Sequence, residues 1–407
     1  MRQLFASREF VAYFIARQSS LVGFSIEATA IGWQIYGLRH RPLDIGLVGL
    51  ILFVPQVVLA LPAGIIADRV DRRAVCLSIS VIEMAALLSF ATLALLGSRS
   101  LILYLSAVAL IGVAHAVGTP AERSLLAGIV AGGQFVRASA MSSSIGQFIY
   151  IAGPAFAGAL IAIGTPIAFG AAAVGYAGAA VGFALLPRRP VTYKEEPLLQ
   201  AALQGVRFIM ARKIILGSIT LDLFAVLFGG AIALLPVYAA NILQVGPTGF
   251  GLLRSAPAFG AAMVAIAIAR RPIARHAGRL LLWCVTGFGV FTIVFGVSKN
   301  MVLSLVALML TGGFDMVSVA IRNAIVQLGT PDAMRGRVSA VENIFIGGSN
   351  ELGAFESGGL AALIGTEASV VVGGVATLVV VGVCAVLFPA VRQLDQLLMH
   401  DSSEESM

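Results

Sequence analysis

About twelve apolar stretches follow one another along the chain, and each is long enough to cross a lipid bilayer. A membrane-spanning helix needs roughly 20 apolar residues. Hydrophobic residues make up 59% of the chain and charged residues only 12%, so a water-soluble domain could not bury the apolar surface. The pattern therefore predicts an all-α membrane protein. The predicted segments cover residues 9–38, 44–67, 74–97, 100–121, 137–163, 166–187, 213–240, 247–269, 279–298, 300–326, 338–364 and 367–390.

Lys and Arg are distributed unevenly over the loops between these segments. Twenty-one of the 27 lie on the side that holds both termini, and four lie on the other side: Arg39, Arg41, Arg99 and Lys299. Because cytoplasmic loops carry an excess of Lys and Arg, both termini are predicted to be cytoplasmic. This distribution explains the net charge of +7 as a membrane feature, so we expect the lipid bilayer and not nucleic acid as a partner.

One sizeable charged break divides the chain into two similar halves. We predict a six-helix bundle over residues 1–187, a cytoplasmic linker with an amphipathic helix over 188–212, a second six-helix bundle over 213–392 and a cytoplasmic tail over 393–407. Arg137 and Arg337 lie in similar loop sequences that are 200 positions apart, and His115 and Asp315 share that offset. Parallel six-helix repeats are a known transporter architecture.

Polar side chains form stripes on three of the predicted helices. The stripes are Ser20, Glu27 and Gln34 in the first helix, His115, Thr119 and Glu122 in the fourth, and Thr311, Asp315, Ser318 and Arg322 in the tenth. Spacings of three, four and seven residues place such groups on one face of a helix. Since ionisable groups inside a membrane are costly, the stripes predict a central, water-filled cavity that can exchange protons.

Four residues are candidates for proton coupling. Glu27 lies near the middle of the first helix, where a carboxyl group could load and release a proton, or could be held by a neighbouring helix. His115 could relay protons or serve as a structural hydrogen-bonding group. Asp315 could pair with His115 across the cavity or with Arg322 on its own helix, and the sequence leaves this open. Asp222 in the seventh helix is an alternative coupling residue.

The eleventh helix is unusually polar, and two of its faces must contact protein or water. It contains Glu342, Asn343, Asn350, Glu351 and Glu356. A cation-binding role for Glu351 or Glu356 is one interpretation. The full set of predicted cavity residues is Ser20, Gln34, Thr119, Gln147, Tyr150, Thr311, Ser318, Asn350, Glu351 and Glu356.

Two short motifs connect the chain with a known family. The loop Gly64-Ile-Ile-Ala-Asp68-Arg69-Val-Asp71-Arg72-Arg73 resembles the signature loop of the major facilitator superfamily, with Asp71 in place of the usual second Gly. Gly153-Pro154-Ala-Phe-Ala157-Gly158 resembles the Gly-Pro-x-x-Gly-Gly motif of its proton-driven exporters. Within the superfamily, the chain looks similar to bacterial exporters of the enterobactin-exporter type and to multidrug efflux proteins. The resemblance predicts a conformational gate at Gly64, Asp68, Arg69, Arg72, Arg73, Arg137, Arg337, Gly153 and Pro154.

The resemblance implies the major facilitator fold, with twelve transmembrane helices in two pseudo-symmetric bundles. It further implies alternating access and proton-coupled export of an amphipathic small molecule, drug-like or siderophore-like, by a monomer in a bacterial inner membrane. The alternatives are a metal or metal-chelate carrier that uses His115, Asp315 and carboxylates of the eleventh helix, and a receptor that no longer transports. We expect no enzyme activity, cofactor or resident metal, because the sequence has no phosphate-binding loop, catalytic constellation or zinc-type spacing.

Overall fold

The computed structural model describes residues 2–130, 132–188, 198–271 and 276–395, and this part of the chain folds into helices without any strand. Side chains at positions 2, 3, 61, 64, 65, 67, 68, 123, 124, 127, 132, 133, 198, 199 and 201 are outside this description. The first half contains α1 (Arg2–Ala6), α2 (Arg8–Arg39), α3 (Pro42–Val58), α4 (Ala60–Arg69), α5 (Arg72–Leu95), α6 (Leu101–Ile129), α7 (Gly132–Ile163) and α8 (Thr165–Ala184). The remaining helices are α9 (Leu198–Ala211), α10 (Lys213–Phe228), α11 (Leu235–Val237), α12 (Gly246–Arg270), α13 (Ala277–Val297), α14 (Met301–Leu328), α15 (Asp332–Ile364), α16 (Thr366–Leu387) and α17 (Pro389–Gln393).

Most of these helices have the length and composition of membrane spans. In the described ranges, nine helical stretches are long and apolar enough to cross a bilayer. Helices α2 and α15 are also long, with 32 and 33 residues, but carry more charged side chains. Helices α3 and α4 together supply one further crossing. The all-α membrane fold predicted from the sequence is confirmed, and α9 lies at the predicted linker.

Two of the predicted crossings are interrupted, and Pro or Gly stands at each break. The second predicted segment splits at Leu59 into α3 and α4, because Pro62 has no N–H to continue the hydrogen-bond ladder. The seventh ends as α10 at Phe228, before Gly229 and Gly230. A 3₁₀ turn (Ala231–Leu234), α11 and a π turn (Tyr238–Ile242) continue that crossing.

Helix pairing within the two halves is similar. In the first half, α2 packs on α7 and α8, and α5 packs on α6 and α8. In the second half, α10 packs on α15 and α16, and α13 packs on α14 and α16. Two helix pairs join the halves, α3 with α15 and α7 with α12. The cavity that lies between the halves is therefore bordered by these two seams.

The two halves are also in contact at the end of the molecule away from the termini. Trp33 in the last turns of α2 stacks on Phe250 with ring centroids 5.5 Å apart. Asn241 Nδ2 donates a hydrogen bond to the Tyr36 hydroxyl at 2.5 Å. Gly158 of α7 lies directly against the backbone of Gly251 in α12, where a Cβ atom would overlap it. Such close backbone contact is typical of small residues at membrane helix interfaces, and here it closes this end of the molecule.

The end that holds the termini is more open between the halves. Gln147 in the first half of α7, and Asn343 and Asn350 in α15, have exposed side chains. The Asn343 and Asn350 amides each donate one hydrogen bond to a carbonyl of their own helix, but lipid tails offer no partner for the remaining polar atoms, so these side chains must contact water. The structure therefore represents a conformation with a cleft that opens toward the terminal side.

Candidate transport cavity and its buried charge clusters

A cavity of about 330 Å³ lies between the two halves. Most of its lining comes from the first half, chiefly from α2 and α6, and Glu351 of α15 lines it from the second half. Arg17 forms an ion pair with Glu122 at its wall. The aromatic rings of Phe24 and Tyr150 pack together at 6.3 Å between centroids. The cavity therefore offers both ionic and aromatic surfaces to a ligand.

Three ionisable side chains from three helices meet at one wall of this cavity. Glu27 of α2 is 1% exposed, Glu83 of α5 is 0% exposed, and His115 of α6 lies beside both. His115 Nε2 is 3.3 Å from Glu83 Oε1 and 3.6 Å from Glu27 Oε1. We call Glu27, Glu83 and His115 the first-half cluster. Since the His115 side chain is 33% exposed and lines the cavity, it connects the buried carboxyl groups with that space.

Several polar atoms of the first-half cluster have no hydrogen-bond partner in the described part of the chain. They are Glu27 Oε2, both carboxylate oxygens of Glu83 and His115 Nε2. The Tyr176 hydroxyl of α8 forms a hydrogen bond with Glu27, and the Phe24 ring packs on the His115 ring at 5.4 Å. Buried polar atoms normally have partners, and an unpaired buried charge is costly. Among the described residues, His115 is thus the one ion-pair neighbour of these two buried carboxyl groups, and no Lys or Arg forms an ion pair with them.

A second buried group of charges lies in the other half, and it includes a permanent cation. Arg322 of α14 forms an ion pair with Asp222 of α10, and its Nε lies 3.4 Å from Glu342 Oε1 of α15. Arg322 is 3% exposed, and the two carboxylates are each 6% exposed. We call Asp222, Arg322 and Glu342 the second-half cluster. It links three helices of the second bundle, with Arg322 as its central charge.

Asp315 belongs to neither cluster. The sequence left its partner open between His115 and Arg322, but the structure places His115 beside Glu27 and Glu83, and Arg322 between Asp222 and Glu342. Asp315 instead borders two small cavities near the Phe288 ring. Both proposed pairings are therefore absent from this conformation.

The ten predicted cavity residues fall into four groups. Four of them line the main cavity: Ser20, Thr119, Tyr150 and Glu351. Ser318 and Thr311 are buried in the second half, where each borders one of the small cavities beside Asp315. Gln147 and Asn350 are exposed, and the Asn350 amide donates to the carbonyl of Ile346. The structure thus brings together the stripes of α2 and α6, while the α14 stripe lies apart from them.

The other two predicted cavity residues make local contacts. Gln34 Nε2 donates to the Tyr104 hydroxyl at 3.1 Å, so its side chain ties α2 to α6 within the first bundle. Glu356 Oε2 accepts a hydrogen bond from Ser357 at 3.3 Å. Seven residues span about 10 Å along a helix, so Gln34 lies beyond Phe24, the last residue of α2 that lines the cavity, although it shares a face with Ser20.

The arginines predicted for the conformational gate have separate surroundings. Arg73 donates to the carbonyls of Phe183 at 3.0 Å and Ala184 at 2.6 Å, so it closes the last turn of α8. Arg337 contacts Gln204 of α9. Arg69 and Arg137 are exposed, and Arg72 is half-buried. The surroundings of Gly64 and the side chain of Asp68 lie outside what the structure describes.

The Gly153-Pro154 motif lies at the seam between the halves. A Cβ atom at Gly153 would overlap the Ser25 side chain of α2, and the Pro154 carbonyl lies against Gly251 of α12. The position fits a helix that approaches two partners closely, and the role in gating stays a prediction.

Two members of the site were absent from the residues singled out from the sequence. Glu83 was detectable, because it is the only charged residue inside the apolar stretch Ala74–Leu95. Tyr176 gave no such signal, since a tyrosine among Ala and Gly residues is common in membrane helices. Only the packing of α8 on α2 and α5 brings its hydroxyl to the carboxyl groups.

Comparison with known proteins agrees with this arrangement. The sequence model of a family described as transmembrane secretion effector matches residues 4–405. The chain belongs to this family of major facilitator transporters. It is similar to the enterobactin exporter EntS of Shigella flexneri, with 26% identity over 382 residues that cover 91% of this chain and 89% of that protein. EntS of Escherichia coli O1:K1 / APEC shows the same identity and coverage.

Solved structures with the same fold include transporters of other substrates. A variant of the nucleoside transporter NupG has a TM-score of 0.74 and 13% identity, with 94% of this chain and 100% of that chain covered. A bacterial homologue of the iron transporter ferroportin in an inward-facing state has a TM-score of 0.70 and 13% identity, with 95% and 99% covered. This family member is therefore a multi-pass membrane transporter with the major facilitator fold, and not an enzyme.

Proposed function

We propose that this transporter exports an amphipathic small molecule, siderophore-like or drug-like, from the cytoplasm in exchange for protons. It would lie in a bacterial inner membrane with both termini in the cytoplasm, as the distribution of Lys and Arg predicts. The name of its exporter relative and the secretion family support the direction and the substrate class. The observation that carries proton coupling is the first-half cluster, in which two buried carboxyl groups adjoin the cavity without a fixed cation.

The geometry supports a simple cycle of alternating access. In the conformation described, the cleft opens toward the terminal side, so a substrate enters from the cytoplasm and contacts Phe24 and Tyr150. Opening toward the other side requires the Trp33–Phe250 and Gly158–Gly251 contacts to separate. Protons from that side then reach Glu27 and Glu83 through His115, the cluster member that touches the cavity. Return to the present conformation releases those protons into the cytoplasm.

Proton release from everted vesicles tests this proposal. Wild-type protein is assayed against lipophilic cations, phenolic siderophores and lysolipids in buffers with a metal chelator. We expect one compound class to release protons from loaded vesicles, and Glu27→Gln to reduce that release to the level of vesicles without the protein. Glu367→Gln is the matched control, because Glu367 is an exposed residue beside Lys299 and distant in sequence from the cluster. Unchanged gradient-driven transport by folded Glu27→Gln would reject proton coupling at this site.

A further inference from the structure

The first-half cluster has the composition and spacing of a metal site. We propose that Glu27, Glu83 and His115 bind a divalent transition-metal ion that enters from the cavity. Each residue offers one ligand atom, and the three atoms lie within 4.8 Å of one another. The site uses side chains that the proposed function assigns to proton exchange, so metal binding is tested separately from transport.

The distances between the ligand atoms fit a shared ion better than direct hydrogen bonds. An N–H···O hydrogen bond spans about 2.7–3.2 Å. Two ligands of a tetrahedral ion with bonds of about 2.0–2.1 Å are separated by about 3.4 Å. His115 Nε2 lies 3.3 Å from Glu83 Oε1 and 3.6 Å from Glu27 Oε1, on either side of that separation. An ion between these atoms would also give the unpartnered Glu83 oxygens and His115 Nε2 a common partner.

The net charge of the first-half cluster also favours a bound metal ion. Two carboxylates and one neutral imidazole carry a net charge of −2, which one divalent cation neutralises. Compensation by a divalent ion or by protons is needed because Glu27 and Glu83 are 1% and 0% exposed. The second-half cluster meets this need with the Arg322 side chain, whereas no Lys or Arg forms an ion pair with Glu27 or Glu83 among the described residues.

The surroundings of the three ligands are those of an accessible site. The Tyr176 hydroxyl holds the Glu27 carboxyl group, and Phe24 packs on the imidazole of His115, so two ligands are oriented by neighbours. The exposure of His115 to the cavity leaves an open coordination position for water or for a donor atom of the substrate. A set of one imidazole and two carboxylates suits Zn²⁺ or Mn²⁺, while Mg²⁺ prefers oxygen ligands in an octahedron.

Calorimetric titration of the full chain in detergent, without an affinity tag, tests the proposal. We expect one Zn²⁺ ion to bind per chain, and Mg²⁺ at the same concentration to give no heat of binding. Glu83→Gln and His115→Ala should each weaken Zn²⁺ binding by at least about tenfold, as ligand loss does. The matched control is His40→Ala, because His40 is exposed at the end of α2 and is not part of the cluster. Its affinity should equal that of the wild type.

A second readout reports on the ligands themselves. Co²⁺ bound in a tetrahedral site absorbs visible light strongly, so the wild type should give this absorption and the folded His115→Ala variant should lose it. The proposal would be overturned if the wild type did not bind Zn²⁺ stoichiometrically at about 1 mM, because a dissociation constant above that concentration is too weak for a dedicated site. Equal Zn²⁺ affinity in the wild type and in folded Glu83→Gln would also overturn it. Because proton-coupled transport is measured with a chelator present, its failure contradicts the proposed function alone.

Discussion

The two halves of the transporter bury similar acidic groups but neutralise them differently. In the second half, Arg322 is held between Asp222 and Glu342, so the compensating charge is part of the chain. In the first half, Glu27 and Glu83 face a histidine that is charged only when protonated. The Arg322 charge is always present, so it stabilises one arrangement of the helices around it. A cation that can leave the first-half cluster stabilises its helix arrangement only while it is bound. Under the proposed function, the second bundle is the rigid partner and the first bundle binds the coupling proton.

The largest expected effect comes from removing the fixed cation. Arg322→Gln leaves Asp222 and Glu342 buried without a positive partner, which should destabilise the fold by about 3–5 kcal/mol, as broken buried ion pairs do. The measurement is thermal unfolding of the purified protein in detergent. The triple variant Arg322→Gln, Asp222→Asn, Glu342→Gln should recover part of the loss, because it also removes both charges. A single Arg322→Gln variant as stable as the wild type would show that the second-half cluster is not a structural centre.

One substitution made in both clusters gives the sharpest comparison. Glu342→Gln removes a carboxylate that lies 3.4 Å from Arg322 Nε and should cost about 1–3 kcal/mol of stability, because the buried guanidinium group loses one of its two negative neighbours. Glu83→Gln removes a buried carboxyl group that has no hydrogen-bond partner and should leave the stability equal or higher. Both variants change the same atoms at buried sites, so each serves as the control of the other in one thermal unfolding experiment. Equal destabilisation would mean that Glu83 also has a permanent partner.

The twelve crossings were predictable from the sequence because they depend on apolar length and loop charge alone. The predicted segment 300–326, for example, corresponds closely to α14, which ends at Leu328. The split of the second segment at Leu59 was less visible, although Pro62 offered a physical reason for it. Periodicity within a helix also identified Ser20 and Thr119 as cavity residues, because both stripes face the same space.

The partners of the charged groups could not be predicted, because helix periodicity shows which side chains share a face but not which helix packs against that face. Asp315 and His115 occupy equivalent positions of the repeat, yet they do not meet. Glu83 and Tyr176 come to Glu27 from α5 and α8, which lie far from it in the chain. Their meeting depends on how α2, α5 and α8 pack, and that packing is set by many small residues rather than by one motif.

Introducing a fixed cation into the first-half cluster should have the smallest effect on stability. It should also abolish the coupling of transport to protons. His115→Arg places a guanidinium group beside Glu27 and Glu83, as Arg322 is placed beside Asp222 and Glu342. The cavity next to His115 leaves room for the longer side chain, so the stability should stay within about 1 kcal/mol of the wild type, as when a buried ion pair replaces another compensated arrangement. With a fixed positive charge held between the two carboxyl groups, substrate should release no protons in everted vesicles, and Zn²⁺ should not bind. His115→Gln is the control, because it removes the titratable imidazole without adding a charge. It distinguishes the loss of proton transfer through His115 from the effect of a fixed cation. If His115→Arg released as many protons as the wild type, the exchangeable charge would lie elsewhere. The different neutralisation of the two clusters would then have no role in proton coupling.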